Sequence, residues 1–226
     1  MLRTNDAFNY QKVDEIINHL RNDQSIIDFH DLGAGSVSGD GSPRRVSQFV
    51  RHSSISHKYG RLLSRIVHSI KPSTIIELGT GAGFSAMYMG MAYDHCKIFS
   101  IEGCPTISEL ANLNIKRLGL KNTEIHTGPF KEILPFLLKK IQHPLLVFID
   151  GDHSGEHLIQ YYETILPFAD ENTLIVLDDI HWSECMEKAW KAINKREEIS
   201  ISIDLFRMGI LFLKKNIRKH HLLIKF

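Results

Sequence analysis

Cysteine is scarce. Cys96, Cys104 and Cys185 are odd in number and none stands in CxxC spacing, which argues against a disulfide framework and against a thiolate zinc site. Net charge is nearly absent too, since 27 Lys and Arg against 26 Asp and Glu leave +1 with neutral histidines. Such a chain has no overall field to gather nucleic acid or anionic lipid. Long apolar runs are missing as well: the stretches at 145–149 and 174–177 fall far short of the roughly 18 residues of a membrane helix, and no basic, apolar, small-residue leader opens the sequence. The expectation is a cytoplasmic protein with neither nucleic-acid nor membrane partners. What is present, 226 residues of which 43% are apolar, suits one globular domain with a short appendage.

Residues 10–29 place Val13, Ile16, Ile17 and Leu20 at helical spacing, an accessory amphipathic helix. The segment GAGSVSGDGSP at 33–43 offers nothing to bury and many ways to turn, so it reads as a mobile loop or linker. From Ser56 a further amphipathic helix runs to Pro72, so residues 1–55 are expected to be the appendage and 56–226 the main domain. Five short apolar strands (73–78, 97–102, 123–128, 145–150, 173–178) then alternate with helices. That alternation specifies a doubly wound α/β fold with a parallel sheet covered on both faces. The strands at 199–206 and 208–215 follow each other too tightly for a parallel crossover and must form an antiparallel hairpin, which completes a mostly parallel seven-stranded Rossmann-like sheet.

Glu77 ends the first of these strands, with Gly79, Gly81 and Gly83 at alternate positions before a helix. Glycines let the chain turn sharply and a ligand lie against it, and the helix start offers free N–H groups. Glu102 closes the next strand, where an acid in a doubly wound fold accepts ribose hydroxyls, so the pair points to an adenosine. The run ELGTGAGFS is not GxGxxG, and an acid before the glycines suits a cationic amine better than a pyrophosphate.

IIELGTGAGFS and FSIEGCP resemble the first two motifs of class I S-adenosylmethionine-dependent methyltransferases, and HKYGRLLSRIVHSIKPSTIIELGTGAGFSA is similar to the start of the small O-methyltransferases of the catechol O-methyltransferase type. The resemblance covers about residues 56–215. It implies that Glu77 and the glycine loop hold the methionine end of S-adenosylmethionine, that Glu102 holds the ribose, and that Gly128 and Phe130 in TGPFKEILP line the adenine.

Two further strands end in FIDGDH and LDDIHW, which deliver Asp150, Asp152, His153, Asp178, Asp179 and His181 to the crevice outside the strand ends. Clustered carboxylates repel unless a cation joins them, and hard oxygen donors suit Mg²⁺, Mn²⁺ or Ca²⁺. Catechol-type enzymes bind a divalent metal, Mg²⁺ or Mn²⁺ in this reading, through an Asp and an Asp-Asn pair that correspond to Asp150, Asp178 and Asp179; here Asp replaces the Asn. His153 stands at the position of their proton-accepting lysine, so His153 and Asp150 are the expected catalytic pair, Asp150 also touching the cofactor. His157 reads as surface. His181 divides between a ligand and a turn residue. Trp182, Tyr161 and Tyr162 divide between an acceptor wall and core, and Arg44 and Arg45 between an anion clamp and solvent.

The expected activity is methyl transfer from S-adenosylmethionine to an oxygen of a small-molecule acceptor. An NAD(P)-dependent oxidoreductase on the same sheet, or a noncatalytic cofactor-binding module acting through a partner, are the alternatives. Pairing of the chain with itself through the N-terminal helix stays open.

Overall fold

The structure, a computed structural model, describes residues 9–28, 43–52 and 54–226. Helix α1 (Gln11–Asn22) leads to a small antiparallel pair, β1 (Ile26–Ile27) with β2 (Arg44–Arg45), followed by α2 (Val46–His52) and α3 (His57–Ile70). Strand and helix then alternate through β3 (Thr74–Leu78), α4 (Phe84–Ala92), β4 (Lys97–Glu102), α5 (Pro105–Leu118), β5 (Thr123–Thr127), α6 (Phe130–Leu138), β6 (Leu145–Ile149), α7 (Gly155–Ile165), β7 (Leu174–Leu177) and α8 (Glu184–Asn194). The chain closes with β8 (Ile201–Asp204), β9 (Gly209–Phe212) and β10 (His220–Leu223).

The main sheet has the order β10-β8-β9-β7-β6-β3-β4-β5, with β9 antiparallel to both of its neighbours and every other pairing parallel. The Rossmann-like sheet and its closing hairpin are therefore present. An eighth strand, β10, which the basic tail did not announce, lies along β8. The chain winds from β3 outward to β4 and β5, then crosses back to β6 on the other side of β3, which opens a crevice at the C-terminal ends of β3 and β6.

Successive residues of the central strands serve opposite faces, so near-continuous apolar runs build two cores. Ile75, Ile98, Leu146, Phe148 and Val176 meet α3 and α4 on one side; Ile76, Ile101, Val147, Ile149 and Leu177 meet α6, α7 and α8 on the other. Helix α1 buries Val13, Ile17 and Leu20 in the first of these cores beside Leu63 and Met87, so its apolar face is covered by its own chain. The helix is shorter than its pattern predicts, since the chain turns at Asp23 and Ile26–Ile27 pairs with Arg44–Arg45. Arg45 donates to Gln24 Oε1 at 2.7 Å. The loop expected at 33–43 lies outside the described residues except for Pro43. No helix among the described residues is long and apolar enough to cross a membrane.

Helix starts position the crevice. Ser154 and Ser183, just beyond the tips of β6 and β7, cap α7 and α8 by accepting from the N–H groups of His157 and Met186. Each cap stops the loop before it within a few residues of its strand.

Candidate functional site

Gly79 (φ 97°), Gly81 (φ 52°) and Gly83 (φ 85°) all adopt the left-handed region between β3 and α4. Gly79 is forced twice over, because a Cβ there would lie 2.1 Å from the carbonyl oxygen of Asp150. Glu102, at the tip of β4, accepts from the Gly81 N–H at 2.9 Å and from the Cys104 N–H at 3.0 Å. It thereby clasps the glycine loop to the start of α5.

Glu77 is fully buried beneath this loop. It accepts a hydrogen bond from Ser100, whose hydroxyl lies 2.5 Å from that of Thr80, while its Oε1 has no hydrogen-bond partner. Burial pushes its pKa up to about 7 against the pull of the Ser100 and Ser85 hydroxyls. A half-satisfied buried carboxyl beneath a glycine cradle is what a cationic ligand group would complete. Because the folded-state pKa lies above the unfolded one, ionising Glu77 costs stability: nothing below the ordinary glutamate range, rising to about 3 kcal/mol once the pH passes 7. Urea unfolding of the ligand-free protein is therefore expected to show Glu77→Gln gaining on wild type between pH 5 and 8; a constant difference would refute the assignment.

Gly128 (φ 144°) donates its N–H to Glu102 O at 2.9 Å, which brings the β5–α6 turn alongside the loop. Phe130 packs against Gly151, where a Cβ would lie 2.8 Å from its ring, and against Tyr161 at 5.8 Å between centroids. Tyr161 and Tyr162 belong to the core, with their hydroxyls donating to Asp152 at 2.6 Å and Glu198 at 3.1 Å. Asp152, held at φ 66°, is also 2.6 Å from His157 Nδ1, so His157 has a carboxylate partner on the surface expected for it.

The acids do come together, but not as one set. Asp178 has a wholly buried side chain and both its oxygens engage Arg207, from Nη2 at 2.7 Å and from Nε at 3.1 Å. Asp179, at φ 52°, turns Oδ1 to Arg207 Nε at 3.2 Å and Oδ2 to His153 Nδ1 at 3.9 Å. Asp is among the residues that tolerate this backbone region, which lets two consecutive aspartates face the same crevice. Burial, then the charges of Asp178 and Asp179, raise the Asp150 pKa well above the carboxylate range. Asp150, His153 and Asp179 each present a donor atom within 4.8 Å of the others. His181 lies 2.9 Å from Asp204 Oδ2, which also accepts from Trp190 Nε1 at 3.3 Å. Two aromatic side chains are strongly exposed at the rim, Trp182 against His153 and Phe206 against His181.

Sequence reasoning missed Arg207 and Asp204. Reversed strand β9 pairs Gly209 with Leu177, which returns the hairpin turn to the tip of β7, so a basic residue between the two final strands was the available signal.

Residues 76–180 match a family model described as a methyltransferase domain, carried here on a Rossmann-like sheet. More particularly, the chain resembles the S-adenosylmethionine-dependent O-methyltransferases of the catechol type. It is 32% identical over 130 residues to a catechol O-methyltransferase of Niastella koreensis, covering 56% of this chain and 58% of that protein. It is 29% identical over 129 residues to one of Mycobacterium tuberculosis, covering 56% of each. The chain thus spans a little over half the length of these curated relatives. In fold it is similar to an O-methyltransferase from Bacillus cereus in complex with S-adenosylhomocysteine, at TM-score 0.67 and 15% identity over 91% of this chain and 92% of that one. TomG from Streptomyces achromogenes, in complex with S-adenosylmethionine, gives TM-score 0.61 at 19% identity over 72% and 82%.

Proposed function

We propose that this chain transfers a methyl group from S-adenosylmethionine to an oxygen of a small-molecule acceptor. The observation that carries this reading is the loop of three left-handed glycines set between buried, half-satisfied Glu77 and the clasp of Glu102. When bound, S-adenosylmethionine supplies an electrophilic methyl on a sulfonium. The rest falls to the chain's own side chains. Glu77 and the N–H groups of the loop receive the ammonium and carboxylate of the methionine end. Glu102, whose carboxylate accepts from the Gly81 and Cys104 N–H groups beside the loop, takes the ribose hydroxyls. Gly128 and Phe130 stand where the base would lie.

The acceptor's hydroxyl enters the crevice of Asp150, His153 and Asp179, with Trp182 and Phe206 at its rim. These groups orient the oxygen and shield it from water. Alignment of this kind supplies on the order of 7 to 11 kcal/mol of a displacement barrier. A divalent cation is compatible with this donor set, since Asp150, His153 and Asp179 offer three converging atoms, and it would act as a Lewis acid there.

Calorimetry with S-adenosylhomocysteine and with NAD is expected to show binding of the first only. Glu102→Ala is expected to weaken that binding by about 1 to 3 kcal/mol, as for a lost hydrogen bond to a charged group. Incubation with methyl-labelled S-adenosylmethionine and a panel of catechols, phenols and carboxylates reads the activity directly. Cofactor binding with no labelled product from any oxygen acceptor would favour a noncatalytic module.

A further inference from the structure

The near-neutral total of this chain hides a segregation of charge. Residues 214–226, KKNIRKHHLLIKF, hold five Lys and Arg and no acid, which leaves the rest of the chain with four more acids than bases. A charged patch acts on its surroundings within a Debye length of about 8 Å at physiological salt, so the local charge decides what it meets. Lys214, Lys215, Arg218, Lys219 and Lys225 are all exposed, and none pairs with a carboxylate among the described residues. Lys214 and Lys219 turn instead to neutral oxygens, Asn172 Oδ1 at 3.3 Å and the Arg196 carbonyl at 2.6 Å. The same segment exposes Ile217, Leu222, Leu223, Ile224 and Phe226, and Leu223 keeps 79% of its surface. Strand β10 ends the sheet: His220 and Ile224 donate their N–H groups to Ser200 O and Asp204 O on the β8 side, and no strand among the described residues lies on the other. Its four residues are all exposed, so Leu222 and Leu223, which point to opposite faces, are both uncovered. Phe226 ties the far end of the segment to α3, with its ring 5.4 Å from that of Tyr59 and 4.4 Å from Lys58 Nζ.

We propose that residues 214–226 are a docking surface for an anionic lipid bilayer, on which the chain lies without spanning it. The cations meet the phosphate and carboxylate headgroups, and the aliphatic side chains enter the boundary beneath them. This is independent of the methyl-transfer reading, and it amends the expectation that net charge set for membrane partners. The apolar residues choose among anionic partners. Nucleic acid offers phosphates and bases to stack on, but four of the five apolar side chains are aliphatic and gain nothing from stacking. An acidic protein strand added to the open edge of β10 would engage its backbone yet leave Leu222 and Leu223, on opposite faces, in water. A second copy docked edge to edge would set two sets of unneutralised cations along one strip. A headgroup layer takes both kinds of side chain, and its water keeps the open N–H and C=O groups of the edge hydrogen-bonded.

The test sediments the full chain with vesicles of phosphatidylcholine alone and of phosphatidylcholine with phosphatidylserine, at about 0.15 M salt and again at about 1 M. Binding to the phosphatidylserine vesicles is expected to be at least tenfold tighter than to the neutral ones and to weaken at least tenfold at the higher salt. Replacing Lys214, Lys215, Arg218 and Lys219 together by Glu should weaken it at least tenfold. Leu222→Ser with Leu223→Ser should weaken it at least threefold with every charge retained. These side chains are exposed, and circular dichroism checks that each variant is folded. If the Glu variant fails to fold, the serine variant and the dependence on lipid and salt decide. Absent binding to phosphatidylserine vesicles overturns the proposal, and so does a serine variant that binds unchanged, because charge alone would then suffice. A duplex oligonucleotide bound as tightly as the anionic vesicles overturns it in favour of nucleic acid. A wild-type dimer that the serine variant converts to monomer in sedimentation velocity overturns it in favour of a second copy.

Discussion

Gly79→Ala is expected to destabilise the fold by at least about 3 kcal/mol and to abolish S-adenosylhomocysteine binding. Two costs add at this position. A φ of 97° lies outside the regions an alanine adopts easily, and the new Cβ would sit 2.1 Å from the Asp150 carbonyl oxygen and 2.7 Å from its carbon. Neither atom can move freely, because the Asp150 N–H donates to Leu78 O at 2.8 Å and ties the tip of β6 to that of β3. Gly119, at φ 80° with open space around its missing Cβ, is the control. Its alanine variant bears the conformational cost alone, about 1 to 2 kcal/mol, and should bind cofactor normally. Denaturant midpoints and calorimetry on the two variants decide the matter. If Gly79→Ala behaves like Gly119→Ala, the close approach of the two strand tips is wrong.

Arg207→Ala should cost about 3 kcal/mol, the lower end of the range for breaking a buried pair, since its own side chain keeps 33% of its exposure while that of Asp178 keeps none. The loss comes less from the attraction forfeited than from the stranded Asp178 charge. A double variant, Asp178→Asn with Arg207→Gln, removes that charge and should recover part of the loss. Equal destabilisation in the single and double variants would place the cost in lost packing of Arg207 over Tyr59, whose ring lies 5.7 Å from the guanidinium, and not in the ion pair. Tyr59 also donates to Leu205 O at 3.2 Å, so α3 braces the hairpin turn that carries Arg207.

Much of the architecture was legible in one dimension. The central strands declare themselves because both faces of a parallel sheet are buried and their positions are therefore mostly apolar, as at Leu145–Ile149. The glycines at 79, 81 and 83 declare a turn because φ preference belongs to the residue itself. Strand ends are local too, so the acids of FIDGDH and LDDIHW could be assigned to one crevice before any coordinates.

Partnership is what the residues could not announce. Asp178 and Arg207 are 29 positions apart, and they meet because β9 runs backwards between β7 and β8 and returns its turn to the tip of β7. Glu102 reads as an acid at a strand end, but that its oxygens take the Gly81 and Cys104 N–H groups follows from how two neighbouring loops curl over the tip of β4. The apolar stripe of Val13, Ile17 and Leu20 says only that something must cover it; the folded chain supplies α2 and α4. Periodicity and backbone preference are properties of short segments, and they survive in the sequence. Charge pairing and burial depend on distances between remote segments, which sheet order and register alone set.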